Sequence, residues 1–96
     1  MVHTEKIVRL LQTNKQSLFG QYPLTELGLF GSVVRDDFTE KSDIDIIIDY
    51  NKPMGIEFID LANALEKIVH RKVDLVSKKG LKQNYYKQIE KEIIYV

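Results

Sequence analysis

Leu29-Phe30-Gly31-Ser32, then after ten intervening residues Asp43-Ile44-Asp45-Ile46-Ile47-Ile48-Asp49-Tyr50, is the stretch that decides how this chain folds. The second half reads as a β-strand. It is rich in β-branched residues, and Ile44, Ile46 and Ile48 alternate with Asp43, Asp45 and Ile47. In a strand the three isoleucines leave one face and the acids the other, so the strand anchors in a core while displaying carboxylates. Asp43 and Asp45 then stand on one face with Cα atoms ~6.5–7 Å apart. The first half reads as the end of another strand, Leu24 to Phe30, broken by Gly31-Ser32. Val33 to Asp36 is expected to form a turn of helix and Phe38 to Ser42 a polar loop.

Outward from there, His3 to Phe19 has the spacing of a helix, with Ile7, Leu10, Leu11, Asn14 and Leu18 on one side and Thr4 as a candidate cap. Gly20-Gln21-Tyr22-Pro23 ends it. Asn51 to Gly55 reads as a turn. Ile56 to His70 reads as an amphipathic helix turning Phe58, Ile59, Leu61, Ala62, Leu65, Ile68 and Val69 toward the core. Lys72 to Ser77 is a third strand, Lys78-Lys79-Gly80 a turn, and Leu81 to about Glu90 a last helix. Ile93 to Val96 fits either a closing strand or a continuation of that helix. The expectation is an α/β fold, a small mixed β-sheet packed with helices.

The chain has 96 residues, the length of one domain spanning 1–96. A domain this size buries about 60–70% of the surface its unfolded chain exposes, so there is one core and no separate unit for a second substrate. An apolar content of 44% and a charged content of 29% exclude disorder. Cysteine is absent, which excludes disulfides, thiolate metal sites and a cysteine nucleophile. With His3 and His70 as its two histidines, the chain has little material for a histidine zinc site or a Ser-His-Asp triad. His70, at a helix end where a cation is favourable, reads as structural. No apolar run reaches the roughly 18 residues of a membrane span, and the N-terminus lacks a signal-peptide pattern, so the expected location is the cytoplasm. Net charge is zero, against a nucleic-acid-coating role. Acids predominate from Arg35 to Asp60 and bases from Glu66 to Glu92.

Two carboxylates as close as Asp43 and Asp45 repel unless cations sit between them. Hard oxygen ligands suit Mg²⁺, and two such ions can clamp a transferring phosphoryl group. Read without chemistry, the same pair is two solvated acids on an exposed strand. Asp74, between Val73 and Leu75, projects from a strand face in the same way. If the two strands are neighbours, three carboxylates meet, and Asp74 adds a metal ligand or a general base; otherwise it is an edge charge that discourages aggregation. Gly31-Ser32 allows close approach of backbone N–H groups and a hydroxyl to phosphate, or is an ordinary turn capped by Ser32. Tyr85-Tyr86 among Lys78, Lys79, Lys82 and Lys87 would suit RNA stacking, but an inward tyrosine under solvated lysines is the better reading, against nucleic-acid binding.

Taken together, Gly31-Ser32, ten residues, Asp43-x-Asp45 and the later Asp74 resemble the DNA polymerase β-type nucleotidyltransferases. The chain is similar in particular to the minimal nucleotidyltransferases (MNT proteins), over essentially its whole length. The resemblance implies the polymerase β-like fold, with Gly31 and Ser32 on the triphosphate and Arg35 able to reach it, unless Arg35 merely pairs with Asp36 or Asp37. It implies Asp43, Asp45 and Asp74 as carboxylates for two Mg²⁺ ions, with Asp74 a ligand or the base for an acceptor hydroxyl. It implies transfer of NMP, with AMP from ATP as the expected case. One departure is Asp36, where relatives often have Gly and an acid would repel phosphate. MNT proteins are typically antitoxins of HEPN toxins, so the resemblance further implies AMP transfer to a toxin tyrosine. The alternatives are an antitoxin that neutralises by contact alone with a vestigial site, and an enzyme acting on a small molecule. With no acceptor domain in the sequence, positioning of the acceptor is expected from an interface with the toxin or another copy of the chain. The basic segment Lys78 to Lys91 is the expected rim.

Overall fold

A computed structural model describes residues 2–35 and 37–96; Asp36, and with it the expectation that an acid there repels phosphate, lies outside the described residues. The elements are α1 (Val2–Gln21), β1 (Leu24–Phe30), a 3₁₀ turn (Gly31–Val34), β2 (Ile44–Tyr50), α2 (Ile56–Val69), β3 (Val73–Ser77), a second 3₁₀ turn (Lys78–Gly80), α3 (Gln83–Ile89) and β4 (Ile94–Tyr95). The four strands form one sheet in the order β3-β2-β1-β4. β1 runs antiparallel to both β2 and β4, while β2 and β3 are parallel. This is the mixed sheet expected from the sequence. The segment from Val33 is a 3₁₀ turn beginning at Gly31, rather than a turn of α-helix starting at Val33. The closing segment is a strand.

The alternation in β2 divides the molecule into two layers. Ile44, Ile46 and Ile48 are buried with Leu27 and Leu29 of β1 beneath Leu11 and Leu18 of α1 and Leu61 and Leu65 of α2. On the opposite face, Ile47 and Phe30 are buried under Ile89 of α3, with Val76, Leu81, Tyr86 and Ile93 around them. Being short, α3 covers this second face over Ile47 and Phe30. Asp45 and Asp74, one alternation earlier on β2 and β3, are left at the margin.

Two expected side-chain positions differ. Ile59 is 61% exposed, not a core residue. Helical spacing gave α2 a wide apolar arc, whereas the face it buries is a narrower stripe through Leu61, Leu65 and Val69. Thr4 does not cap α1 but lies within it, and its hydroxyl donates to the carbonyl of Val33. That contact ties the first turn of α1 to the 3₁₀ turn.

Candidate active site

Gly31 ends β1 with φ of +79°, a conformation open to glycine and costly for other residues. A second constraint acts on the same residue. A Cβ built there would lie inside contact distance of Asp45 Oδ2. The missing side chain therefore lets the Asp45 carboxylate pack against the turn. The pairing of the strands fixes this: Phe30 lies opposite Asp45 in the β1–β2 ladder.

On its other side Asp45 is the register partner of Asp74 in the parallel β2–β3 pair. Asp43 immediately precedes β2 and is exposed. Partial burial and the like charges of Asp74 and Asp43 push the Asp45 carboxyl up from 3.8 to about 6; Arg35 opposes this and Glu92 adds to it. The strands are thus neighbours, as the sequence reading required, and the three aspartates share one field. They are not drawn to a single point: among the described residues, no group of three or more His, Asp or Glu side chains is placed to hold a metal ion. The donor chemistry nevertheless fits Mg²⁺, which retains several waters and commonly takes one or two carboxylates together with substrate phosphates.

The loop before Asp43 is fastened by a residue that sequence reasoning missed. Arg71, just past α2, donates from Nη2 to the carbonyls of Thr39 (2.9 Å), Glu40 (2.7 Å) and Ser42 (2.9 Å). Its guanidinium also lies 4.8 Å from the centre of the Phe38 ring. Nothing in the local sequence distinguishes this arginine from its basic neighbours.

Glu92 is the other unforeseen residue. The Gly31 amide donates to its Oε2 at 2.7 Å. Arg35 Nη1 donates to Oε1 at 3.2 Å and to Oε2 at 3.4 Å. The β1–β4 pairing brings the two segments together: Leu29 faces Ile94, and Gly31 and Glu92 each lie two residues beyond that pair, in the turns that flank the strands. Arg35 also meets Asp37 at 3.5 Å, so the expected local ion pair is present alongside the longer-range one. Glu92, and secondarily Asp37, raises the pKa of the Arg35 guanidinium, favouring its charged form.

The basic segment expected to rim the site is partly engaged elsewhere. Lys78 pairs with Glu26 at 2.9 Å and lies over the rings of Tyr86 and Tyr95. Lys79 pairs with Asp49 and donates to the carbonyl of Tyr50 at 2.6 Å. Both belong to the second 3₁₀ turn, not to α3. A concavity of about 600 Å³, lined by Tyr50, Asn51, Lys52, Pro53, Met54 and Lys79, opens at this far end of β2, away from Asp45. Among the described residues, no helix is long and apolar enough to cross a membrane.

A family model for the nucleotidyltransferase domain matches residues 7–96. The chain is 37% identical over 97 residues to the protein adenylyltransferase MntA of Thermococcus cleftensis, covering 100% of this chain and 98% of that one. Among solved structures, a candidate minimal nucleotidyltransferase superposes with a TM-score of 0.72 at 26% identity, covering 88% of this chain and 90% of that one. A chain of a toxin–antitoxin crystal structure with AMP-PNP superposes with a TM-score of 0.69 at 26% identity, over 97% of this chain and 71% of that one.

Proposed function

The chain belongs to the nucleotidyltransferase domain family, and from that premise we propose that it is a cytoplasmic antitoxin, one minimal domain over 1–96, that transfers AMP from ATP to a tyrosine hydroxyl of a HEPN-type toxin. The name of the Thermococcus relative supports the protein acceptor. The toxin–antitoxin structure with AMP-PNP supports the nucleotide and the partner. One observation on this chain carries the reading: an anion-binding pair, the Gly31 amide and Arg35, stands directly beside the partly buried carboxylate of Asp45.

Gly31 and Ser32 hold phosphate, and Arg35 neutralises part of its charge. Asp43 and Asp45, with Asp74 beside them, are the residues that would hold Mg²⁺, which when bound supplies charge neutralisation and in-line orientation of the triphosphate. The acceptor oxygen forms a bond to the α-phosphorus as the bond from that phosphorus to the pyrophosphate oxygen breaks. Pyrophosphate leaves, and the hydroxyl proton passes to a carboxylate, for which Asp74 is the candidate. Positioning and electrostatics supply the catalysis, so no covalent nucleophile is needed.

The binding-only alternative keeps the same partner and leaves Asp43, Asp45 and Asp74 without a catalytic role. Labelled ATP and Mg²⁺, added to the protein with and without the product of the adjacent gene, separate the two. Label on the partner, lost in Asp43→Asn and Asp45→Asn, supports transfer. A tight complex with no label supports binding alone, and a labelled small molecule without any complex supports the metabolite enzyme.

A further inference from the structure

Glu92 occupies the donors that the proposed reaction needs for phosphate. Its two carboxylate oxygens accept from the Gly31 amide at 2.7 Å and from Arg35 at 3.2 Å and 3.4 Å. A carboxylate and a phosphate present the same charge sign and the same kind of acceptor oxygens to a guanidinium and an amide. The Glu92 side chain is more enclosed than its partner: 23% exposed, against 52% for Arg35. Its seat lies next to Asp45, in a neighbourhood already rich in negative charge, so the two donors are what hold it there.

The segment carrying Glu92 is weakly fastened. It connects α3 to β4, a strand of two residues at the edge of the sheet. β4 pairs through Gly28 with Tyr95 and Leu29 with Ile94, supplemented by the Val96 amide donating to Leu27 at 2.9 Å. Ile94 and Tyr95 are 36% and 46% exposed. A two-residue edge strand has few ladder hydrogen bonds to break, and the apolar contacts that its opening must release are those of Ile93 and Val96.

We propose that Glu92 is an intramolecular competitor of the nucleotide: its carboxylate fills the Gly31–Arg35 anion seat, and nucleotide phosphate binds there only when Glu92 swings out with the β4 segment. The proposal rests on the nucleotide reading above and adds to it the residue that sets apparent affinity. If the seat is open in a fraction of molecules, apparent affinity falls by that fraction. Removing Glu92 makes the seat permanently available, while groups of the ligand that do not touch it gain nothing.

Calorimetric titration of the full chain with ATP and Mg²⁺, and separately with adenosine, tests this. Glu92→Ala is expected to bind ATP about tenfold tighter than wild type, and Glu92→Gln, which keeps an acceptor for the Gly31 amide but not the charge, by a smaller factor. Adenosine affinity is expected to be unchanged. A second readout uses wild type alone: saturation with ATP and Mg²⁺ should accelerate amide exchange across residues 92–96. If wild type binds ATP while both variants bind it no tighter, or exchange over 92–96 stays the same or slows, Glu92 is not a competitor and the nucleotide reading stands. If neither wild type nor variants bind ATP, the nucleotide reading falls and the proposal with it.

Discussion

Asp45 and Asp74 are direct register partners across the parallel β2–β3 pair, and the charge of Asp74 opposes ionisation of Asp45. Asp45 carries the visible consequence, a carboxyl raised from 3.8 to about 6, first by burial and then by Asp74 and Asp43. Between about pH 4 and 6 the folded chain therefore binds more protons at this site than the unfolded chain. Stability then falls as pH rises through that window, and the penalty is complete above it. Metal-free Asp45→Asn should accordingly be more stable than wild type at pH 8, with the difference shrinking toward pH 4. Urea unfolding in the presence of EDTA at both pH values measures it. An equal difference at the two pH values would show that Asp45 is not destabilised by its charge.

Gly31 is required twice over, by its positive φ and by the Asp45 carboxylate lying where a side chain would begin. Gly31→Ala should cost about 1–3 kcal/mol of stability from backbone strain and should severely reduce transfer. The two causes separate in a double-mutant cycle with Asp45→Ala, which vacates the space. The substitution at Gly31 should cost less in that background. Strict additivity in chemical denaturation would leave backbone strain as the whole effect.

The sequence made β1 legible because Leu24, Leu27, Leu29 and Phe30 lie in a short segment closed by Pro23 and Gly31. β2 and β3 were legible because their acids alternate with branched apolar residues. Those patterns are local, and the same locality exposed Gly31, Asp43, Asp45 and Asp74 as candidates. Glu92 could not be found that way. It meets Gly31 only because β4 joins the outer edge of β1, a pairing that nothing in Ile93–Val96 specifies. Arg71 was hidden for a related reason, since its partners are backbone carbonyls about thirty residues earlier, which carry no sequence signature. Periodicity also overreached at Ile59, because it reports which residues share a helix face, not how much of that face the sheet covers.

Ile59 supplies a direct test of that distinction. At 61% exposure it has little apolar contact to lose, whereas Leu61, two residues on, is fully buried. Ile59→Lys should change stability by no more than about 0.5 kcal/mol. Leu61→Ala should cost about 2–5 kcal/mol through lost burial and the cavity left behind. Thermal or urea denaturation of the two variants settles the placement of α2, and comparable losses would mean that the helix is rotated.

Arg71 offers a way to disturb the site without touching phosphate or any of the three aspartates. Its Nη2 gathers the carbonyls of Thr39, Glu40 and Ser42, and its guanidinium carbon lies over the Phe38 ring. Phe38 in turn meets the ring of His3 at 5.5 Å, so the loop is held from both sides. The loop ends at Asp43, whose position it sets. Arg71→Ala should cost about 1–3 kcal/mol for lost charged hydrogen bonds and should speed amide exchange over residues 39–42. Transfer should fall more than nucleotide affinity does, since Gly31 and Arg35 stay in place while Asp43 loses its support. Arg71→Lys retains the charge but not the planar fork, and a lysine ammonium is a compact point donor on a flexible stem. It should recover less than half of the lost stability. Full recovery by lysine, in stability and in exchange alike, would reduce the role of Arg71 to its charge and detach it from the placement of Asp43.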